Sequence, residues 1–569
     1  MTQSYRLAQG GIVDRSRTLD FSFDGARYRG HPGDTLASAL LANGVHLVGR
    51  SFKYHRPRGI VTAGADEPNA LVQLARGART EPNTRATQQE LYDGLVAASQ
   101  NRWPSLSFDI GALNDAFSPL LPAGFYYKTF MWPPGPRWWL KYEHAIRRAA
   151  GLGRAPREPD PDHYEHRFAH CDVLVIGGGP AGLVAAGVAA RCGARVMLCD
   201  ENASFGGSLR GAATIIDGAP AASWLDERIG ELAANGEVTL LPRTTAFGYY
   251  DQNLVGLVER LADHLPEPPP FTPRQRLWHV RAGTVVLASG ALERGIAYAG
   301  NDLPGTMLAG AAQTYVTRYG VRPGMRAVIF ANNDSAYEAA ASLHDAGVAI
   351  AAIADPRPPA ALFGDRPQRA RAAGMPVLPG SAIMRSHGRL RVAGVDLISL
   401  GGGEARRIDC DLVCVSGGWN PAVHLYSQSR GKLRYDDALA TFVPDASPQA
   451  ILAAGAANGR LALNAVLADG HAAGLAAAAR SDFRSRTVPP APETGVESNG
   501  PLQALWSVPS RRGAKCFVDW QNDVTVADIA LAAREGYRSV EHLKRYTTLG
   551  MGTDQGKTSN IVGLAVLAA

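Results

Sequence analysis

The chain has 569 residues, of which 46% are hydrophobic and 19% charged, and a formal net charge of +6 at neutral pH. That length exceeds what one hydrophobic core supports and predicts three or four domains. The basic residues form no long block, which argues against nucleic-acid binding. No stretch approaches the roughly 18 apolar residues of a membrane span, and the opening MTQSYRLAQGGIVDRSR lacks the apolar core of a signal peptide, so a cytoplasmic protein is expected.

In chain order, Leu19, Phe21 and Phe23 alternate with polar neighbours, Asp24-Gly25 makes a hairpin turn, and a return strand passes through Tyr28. Gly33-Asp34-Thr35 then offers an N-cap to the helix LASALLANG, which Gly44 ends. This ββα opening is similar to the start of a plant-type [2Fe–2S] ferredoxin domain, whose cysteine loop should follow. The chain instead reads GRSFKYHRPRG and has no cysteine before Cys171, so the ligand count excludes a cluster here. Arg50, Lys53, His55, Arg56 and Arg58 read as a solvated or partner-facing basic loop, with an anion site as the alternative. The six cysteines, Cys171, Cys192, Cys199, Cys410, Cys414 and Cys516, lie mostly in apolar surroundings and read as buried free thiols. From about 96 to 165 periodicity fades, and AGFYYKTFMWPPGPRWWLKYE (Ala123 to Glu143) carries aromatics that should be buried against another domain or subunit. A Pro-rich linker, Gly151 to Arg167, follows.

The strongest signal is CDVLVIGGGPAGLVAAGVAARCGARVMLCDE. Val173 to Ile176 is an apolar run suited to a strand buried on both faces, and Gly177, Gly179 and Gly182 form G-x-G-x-x-G. A small-residue helix, Ala181 to Ala190, presents its N-terminus to a phosphate, and a second strand, Arg195 to Cys199, delivers Asp200 and Glu201 where carboxylates accept from ribose hydroxyls. Gly206-Gly207-Ser208-Leu209 is placed to close over a pyrophosphate or a nicotinamide ribose, and Thr244-Thr245-Ala246, after the strand Val238 to Leu241, to meet an adenine. Thr284 to Ala288 reads as a further buried strand.

A second βαβ unit starts at Arg326, but Asn332, Asn333, Asp334, Ser335 and Ala336 replace the fingerprint glycines, and Asp334 would repel a pyrophosphate. Its nucleotide site is expected to be empty or altered. Strands around Leu390 to Leu400 and Cys410 to Val415 return the chain to the first domain. Gln449 to Ala478 reads as strand, turn and long helix; the turn Gly455-Ala456-Ala457-Asn458-Gly459 lacks the Asp usual in flavoproteins of this architecture, which weakens FAD and leaves NAD open. The segment GMGTDQGKTSN misses P-loop spacing because Met551 stands where a glycine is needed. The terminal NIVGLAVLAA reads as cut within an element, as if another domain followed.

These features together resemble, over essentially the whole chain, the alpha subunit of heterotetrameric sarcosine oxidase. The resemblance rests on FKYHRPRG (Phe52 to Gly59), PAGFYYKTFMWP (Pro122 to Pro133), the fingerprint, NNDSAYEAA (Asn332 to Ala340), SGGWNPAVHL (Ser416 to Leu425) and HLKRYTTLGMGTDQGKTSN (His542 to Asn560). It implies an α/β fold: a two-dinucleotide-binding-domain, Rossmann-like core, an N-terminal ferredoxin-like domain without its cluster and a small C-terminal helical segment. In that segment Asp519, Gln521, Asp554 and Ser559 stand where a cluster module has cysteines. The expected organisation is 1–95 ferredoxin-like, 96–166 connecting, 167–323 first dinucleotide domain, 324–415 second nucleotide fold, 416–487 return, 488–510 linker and 511–569 helical.

The resemblance further implies NAD on this chain, lined by Gly177, Gly179, Ala181, Gly182, Asp200, Glu201, Asn202, Ser208, Ala246, Ala456, Leu461 and Leu463. FAD and covalently held FMN would sit on the beta subunit or at the interface, with gamma and delta subunits completing the complex. The implied reaction is oxidative demethylation of sarcosine to glycine, with peroxide formed and the methylene group passed to tetrahydrofolate by a domain beyond this chain, or released as formaldehyde. No catalytic residue or metal ligand is assigned here. The alternatives are an FAD-binding subunit of a related amine or opine dehydrogenase, and a structural subunit whose nucleotide is never reduced.

Overall fold

The computed structural model describes every residue except 1–2, 76, 126–127, 129–131, 486, 497 and 512. The chain forms two compact units: residues 162–292 with 419–498, and residues 1–161 with 293–418 and 499–569. The architecture is α/β, as the apolar runs alternating with small-residue helices predict.

The 162–292 unit is built on a parallel sheet. Strand Tyr164–Ile176 lies between Val196–Cys199 and Gln275–Leu287; Val238–Leu241 pairs on one side and Ile451–Ala453 on the other. Leu254–Arg260 and Thr244–Tyr250 continue from Gln275–Leu287 as an antiparallel meander. The strand begins at Tyr164, so the expected linker to Arg167 ends earlier. Tyr164 to Arg167 pair with Gln275 to Trp278 although their side chains are largely exposed, a pairing that local hydrophobicity does not announce. Two helices pack on one face of this sheet. Pro180–Arg191 packs on Leu463–Arg480 through small residues: a Cβ on Gly470 would lie 2.5 Å from the Ala181 carbonyl oxygen, and one on Gly474 2.6 Å from that of Ala185. This backbone proximity explains why both helices are Ala- and Gly-rich.

In the other unit the N-terminal hairpin and helix form as read. Thr35 caps helix Leu36–Ala42 in a reciprocal box with Ser38, and the sheet Leu19–Phe23, Ala26–Gly30, Leu95–Ser99, Leu71–Leu74 and Glu81–Arg85 covers it. The second nucleotide fold is a parallel sheet in the order Thr306–Leu308, Leu412–Ser416, Arg326–Ala331, Ala349–Asp355 and Val377–Pro379.

The basic loop turns inward, correcting the expectation of a solvated or partner-facing loop. Arg56 forks onto Asp302 at 2.6 and 3.0 Å and reaches Asp115 at 2.8 Å. Arg58, 1% exposed, bridges Asp302 and Asp523, and the N–H groups of Lys53 and Tyr54 donate to Asp523 at 2.8 Å. Both guanidinium groups lie over the Phe517 ring. Burial alone would raise the Asp302 carboxyl, but Arg56 and Arg58 hold it down at about 2. The anions this loop binds are therefore the chain's own carboxylates.

In the aromatic-rich region Phe125 is buried, whereas Trp132, Trp138 and Trp139 are exposed on this chain; Tyr126, Tyr127, Phe130 and Met131 lie outside the described residues. All six cysteines are free thiols, and all but Cys192 are buried. No helix among the described residues is long and apolar enough to cross a membrane.

Candidate dinucleotide site

The fingerprint glycines have three separate reasons. Gly177 takes φ +102°, and a Cβ there would meet the Ala288 carbonyl oxygen at 2.3 Å. A Cβ on Gly182 would lie 1.8 Å from the Gly177 carbonyl oxygen, so only glycine lets helix Pro180–Arg191 start against the strand end. At Gly179 the nearest atom is 4.0 Å away: the space in front of this N-cap is open. The first-turn amides behind it, including those of Ala181 and Gly182, have no intrahelical acceptor and carry the positive end of the helix dipole.

Asp200 ends the second strand. Its Oδ2 accepts from the Gly178 N–H at 2.7 Å, and its Oδ1 from the backbone and side-chain N–H groups of Asn202 at 2.8 and 2.9 Å. A carboxylate offers about four acceptor positions, so one of them remains for a ligand hydroxyl. The backbone zips the neighbouring segment alongside: Asp200 N–H donates to Leu241, Thr244 N–H to Asp200 and Arg243 N–H to Asn202, at 3.1, 2.7 and 2.8 Å. That brings Ala246, half-buried opposite Leu257, into the neighbourhood of Asp200 and Glu201.

Ser208 is exposed on the single turn Gly207–Leu209. The loop is fastened to the fingerprint by the Gly206 N–H donating to the Gly178 carbonyl at 2.7 Å, by Phe205 packed where a Gly178 side chain would be, and by Gly207 lying against Gly179. Gly455, at φ +65°, abuts Ala181, so Ala456 in the turn Gly455–Asn458 borders the same helix start. Ala181 itself is buried, its Cβ against Gly455 and its carbonyl against Gly470, so its N–H is what it can offer a ligand. Leu463 opens helix Leu463–Arg480 half-buried, and Leu461 is 45% exposed.

One contributor went unread in the sequence. Asp469 accepts from the Gly455 N–H at 2.8 Å and from Asn458 at 3.1 Å, fixing the turn that lacks its own Asp. It lies inside helix Leu463–Arg480, where nothing in the sequence shows that its carboxylate reaches back to the preceding turn. Burial pushes the thiols of Cys171, to about 12, and Cys199 upward, so both stay protonated and serve packing. The arrangement therefore offers open helix-end amides, a glycine cradle and an acid, the kinds of group that a dinucleotide's diphosphate and ribose require.

Comparison with known proteins agrees with this reading of the fold. Family models match for a 2Fe-2S iron-sulfur cluster binding domain over residues 16–102, a pyridine nucleotide-disulphide oxidoreductase over 171–471 and a sarcosine oxidase A3 domain over 513–569. The first match covers a stretch without cysteine. The chain is 50% identical to sarcosine oxidase subunit alpha of Rhizobium meliloti (strain 1021), over 99% of this chain and 56% of that protein. It is 39% identical to that of Corynebacterium sp. (strain P-1), over 100% of this chain and 55% of the other. It thus spans little more than half the length of these relatives. Among solved structures, L-proline dehydrogenase from P. horikoshii shares the fold, with a TM-score of 0.65 at 19% identity over 99% of this chain and 94% of that one. The chain belongs to the pyridine nucleotide-disulphide oxidoreductase family and is similar over nearly its whole length to the sarcosine oxidase alpha subunits.

Proposed function

We propose that this chain is the NAD-holding part of a flavin-dependent, cytoplasmic sarcosine oxidase complex. In this reading sarcosine is oxidatively demethylated to glycine on FAD and FMN held by a beta subunit or at its interface, with gamma and delta subunits completing the assembly. Transfer of the methylene group to tetrahydrofolate belongs to a part of the relatives' length that this chain does not span. The observation that carries the proposal is the pairing of an open Gly179 N-cap with an Asp200 carboxylate that keeps one acceptor position.

In detail, the amides at the start of Pro180–Arg191 bind the pyrophosphate, and Asp200 with Glu201 orients the adenosine ribose. Ala246 borders the adenine, and Ser208, Ala456, Leu461 and Leu463 border the far half of the dinucleotide. Two carboxylates at the ribose disfavour a 2′-phosphate and so favour NAD over NADP. NAD over FAD is supported by the turn at Gly455, where Asp469 is engaged by Gly455 and Asn458. Bound NAD supplies a nicotinamide that accepts or returns a hydride; this chain's residues hold and orient it. The test is Asp200→Ala with Glu201→Ala. The NAD recovered per chain should fall to a small fraction of the wild-type amount, and an unchanged content would refute the ribose assignment.

A further inference from the structure

The second nucleotide fold repeats the first at one constant offset in residue number. Asn332, Asp334 and Tyr337 stand where the first fold has Gly177, Gly179 and Gly182; Asp355 ends the second strand as Asp200 does, and Arg357 takes the place of Asn202. At the helix end and at the acid, the replacements occupy what the first site leaves open. Asp334 is the N-cap of helix Ser335–Asp345, yet its side chain makes no capping bond to that helix. Its Oδ1 accepts from Arg357 Nη1 at 2.7 Å and its Oδ2 from the N–H of Gly500 at 2.7 Å. Arg357, 1% exposed, grips Asp355 through Nε at 3.0 Å and Nη2 at 2.7 Å, and the Tyr337 hydroxyl donates to Asp355 at 2.9 Å. With the Arg357 N–H at 2.9 Å as well, the acceptor positions of Asp355 are filled.

The segment at Gly500 runs across the same edge. Arg357 Nη1 also donates to the Pro501 carbonyl at 3.2 Å, and the Gln503 N–H donates to the Asn332 carbonyl at 3.1 Å. A Cβ on Gly500 would lie 2.4 Å from the Ala361 carbonyl oxygen, so the strap fits only as glycine.

We infer that this second site has become the docking site for the chain's own segment 499–503 and takes no nucleotide. The Asp334 carboxylate stands at the helix end in place of a phosphate, and the Arg357 guanidinium satisfies the acid in place of a ribose. A dinucleotide entering would have to displace a buried, doubly paired arginine and leave Asp334 and Asp355 facing its phosphates, a like-charge contact in a site withdrawn from water. The fold's ligand-binding edge, at the carboxyl ends of its strands, is thus used to hold the strap.

The test is amide hydrogen exchange on the full chain, with ADP-ribose as the probe. The Gly500 and Gln503 amides should exchange more than about tenfold slower than an unstructured peptide, since they open only with the local structure. ADP-ribose should leave them and residues 333–336 unchanged. Asp334→Ala should speed Gly500 exchange, and Arg357→Gln should do the same if the first variant does not fold. Peptide-like exchange at Gly500 in the wild type, unchanged exchange in a folded variant, or protection of residues 333–336 by ADP-ribose overturns the inference. Protection at 178–182 reports separately on the NAD proposal, and its absence leaves the strap assignment standing.

Discussion

Substituting alanine at two of the fingerprint glycines separates binding from folding. At Gly182 the added Cβ would fall 1.8 Å from the Gly177 carbonyl oxygen and 3.0 Å from its carbon, both rigid backbone. Carbon–oxygen contacts settle near 3.3–3.6 Å, so the helix would have to retreat by roughly 1.5 Å from a strand end it now touches. Overpacking of this kind costs about 1–3 kcal/mol, and the retreat also moves the first-turn amides off the proposed pyrophosphate position. Gly182→Ala should therefore lower both thermal stability and NAD content. At Gly179 the backbone is already in an ordinary extended conformation, φ −75° and ψ −174°, and no atom lies within 4 Å apart from Gly207 Cα at 4.0 Å. Gly179→Ala should leave the melting temperature within a degree or two, with a stability change of about 1 kcal/mol or less, while its methyl occupies the approach of the pyrophosphate. NAD affinity should drop at least tenfold, about 1.4 kcal/mol, measured by calorimetry on the apo chain. Wild-type affinity in Gly179→Ala, or a wild-type melting temperature in Gly182→Ala, would refute the reasoning.

Further predictions concern the other unit. Arg58→Ala leaves Asp523 buried without its guanidinium and should cost about 3–5 kcal/mol, seen as a lower urea midpoint; Arg58→Lys should not restore it, because an ammonium cannot fork to Asp302 and Asp523 together. Glu293 is 4% exposed, and burial pushes its carboxyl up to about 8, an effect only partly offset by the Ser416 hydroxyl and the Gly310 N–H. A carboxyl raised above its unfolded value holds its proton in the folded state between about 4.5 and 8, so stability falls as pH rises through that window. Glu293→Gln should flatten that dependence and gain stability over wild type at pH 8 but not at pH 5, and an identical slope in urea titrations would contradict the assignment.

How much of this was legible in the sequence depended on how far apart the interacting residues lie. The turn, helix and second strand of the first βαβ unit were read to within about a residue, because an apolar run, glycines at fixed spacing and a terminal acid are local consequences of one turn. The same pattern located the second nucleotide fold, and the loss of its glycines announced an altered site. What fills it was not visible: Arg357 and Gly500 meet Asp334 only after folding. The basic loop shows the same limit. Its charge was plain, but its direction is set by Asp302 and Asp523, hundreds of residues away, and isolated positive charge reads as solvated. Asp469 was missed because a helix interior gives no hint that a carboxylate reaches back to a turn. The strand from Tyr164 to Arg167 was read as linker because its exposed side chains lack the apolar pattern, and only its partner strand reveals it.

The central claim is that the Gly177 to Glu201 site holds NAD on a chain whose flavins lie elsewhere. Its most direct test is to purify the chain with and without the proposed beta subunit, denature it, and identify the released nucleotides by mass. The account predicts one NAD per chain in both preparations, with flavin appearing only when the partner is present. FAD released from the isolated chain in place of NAD would contradict it.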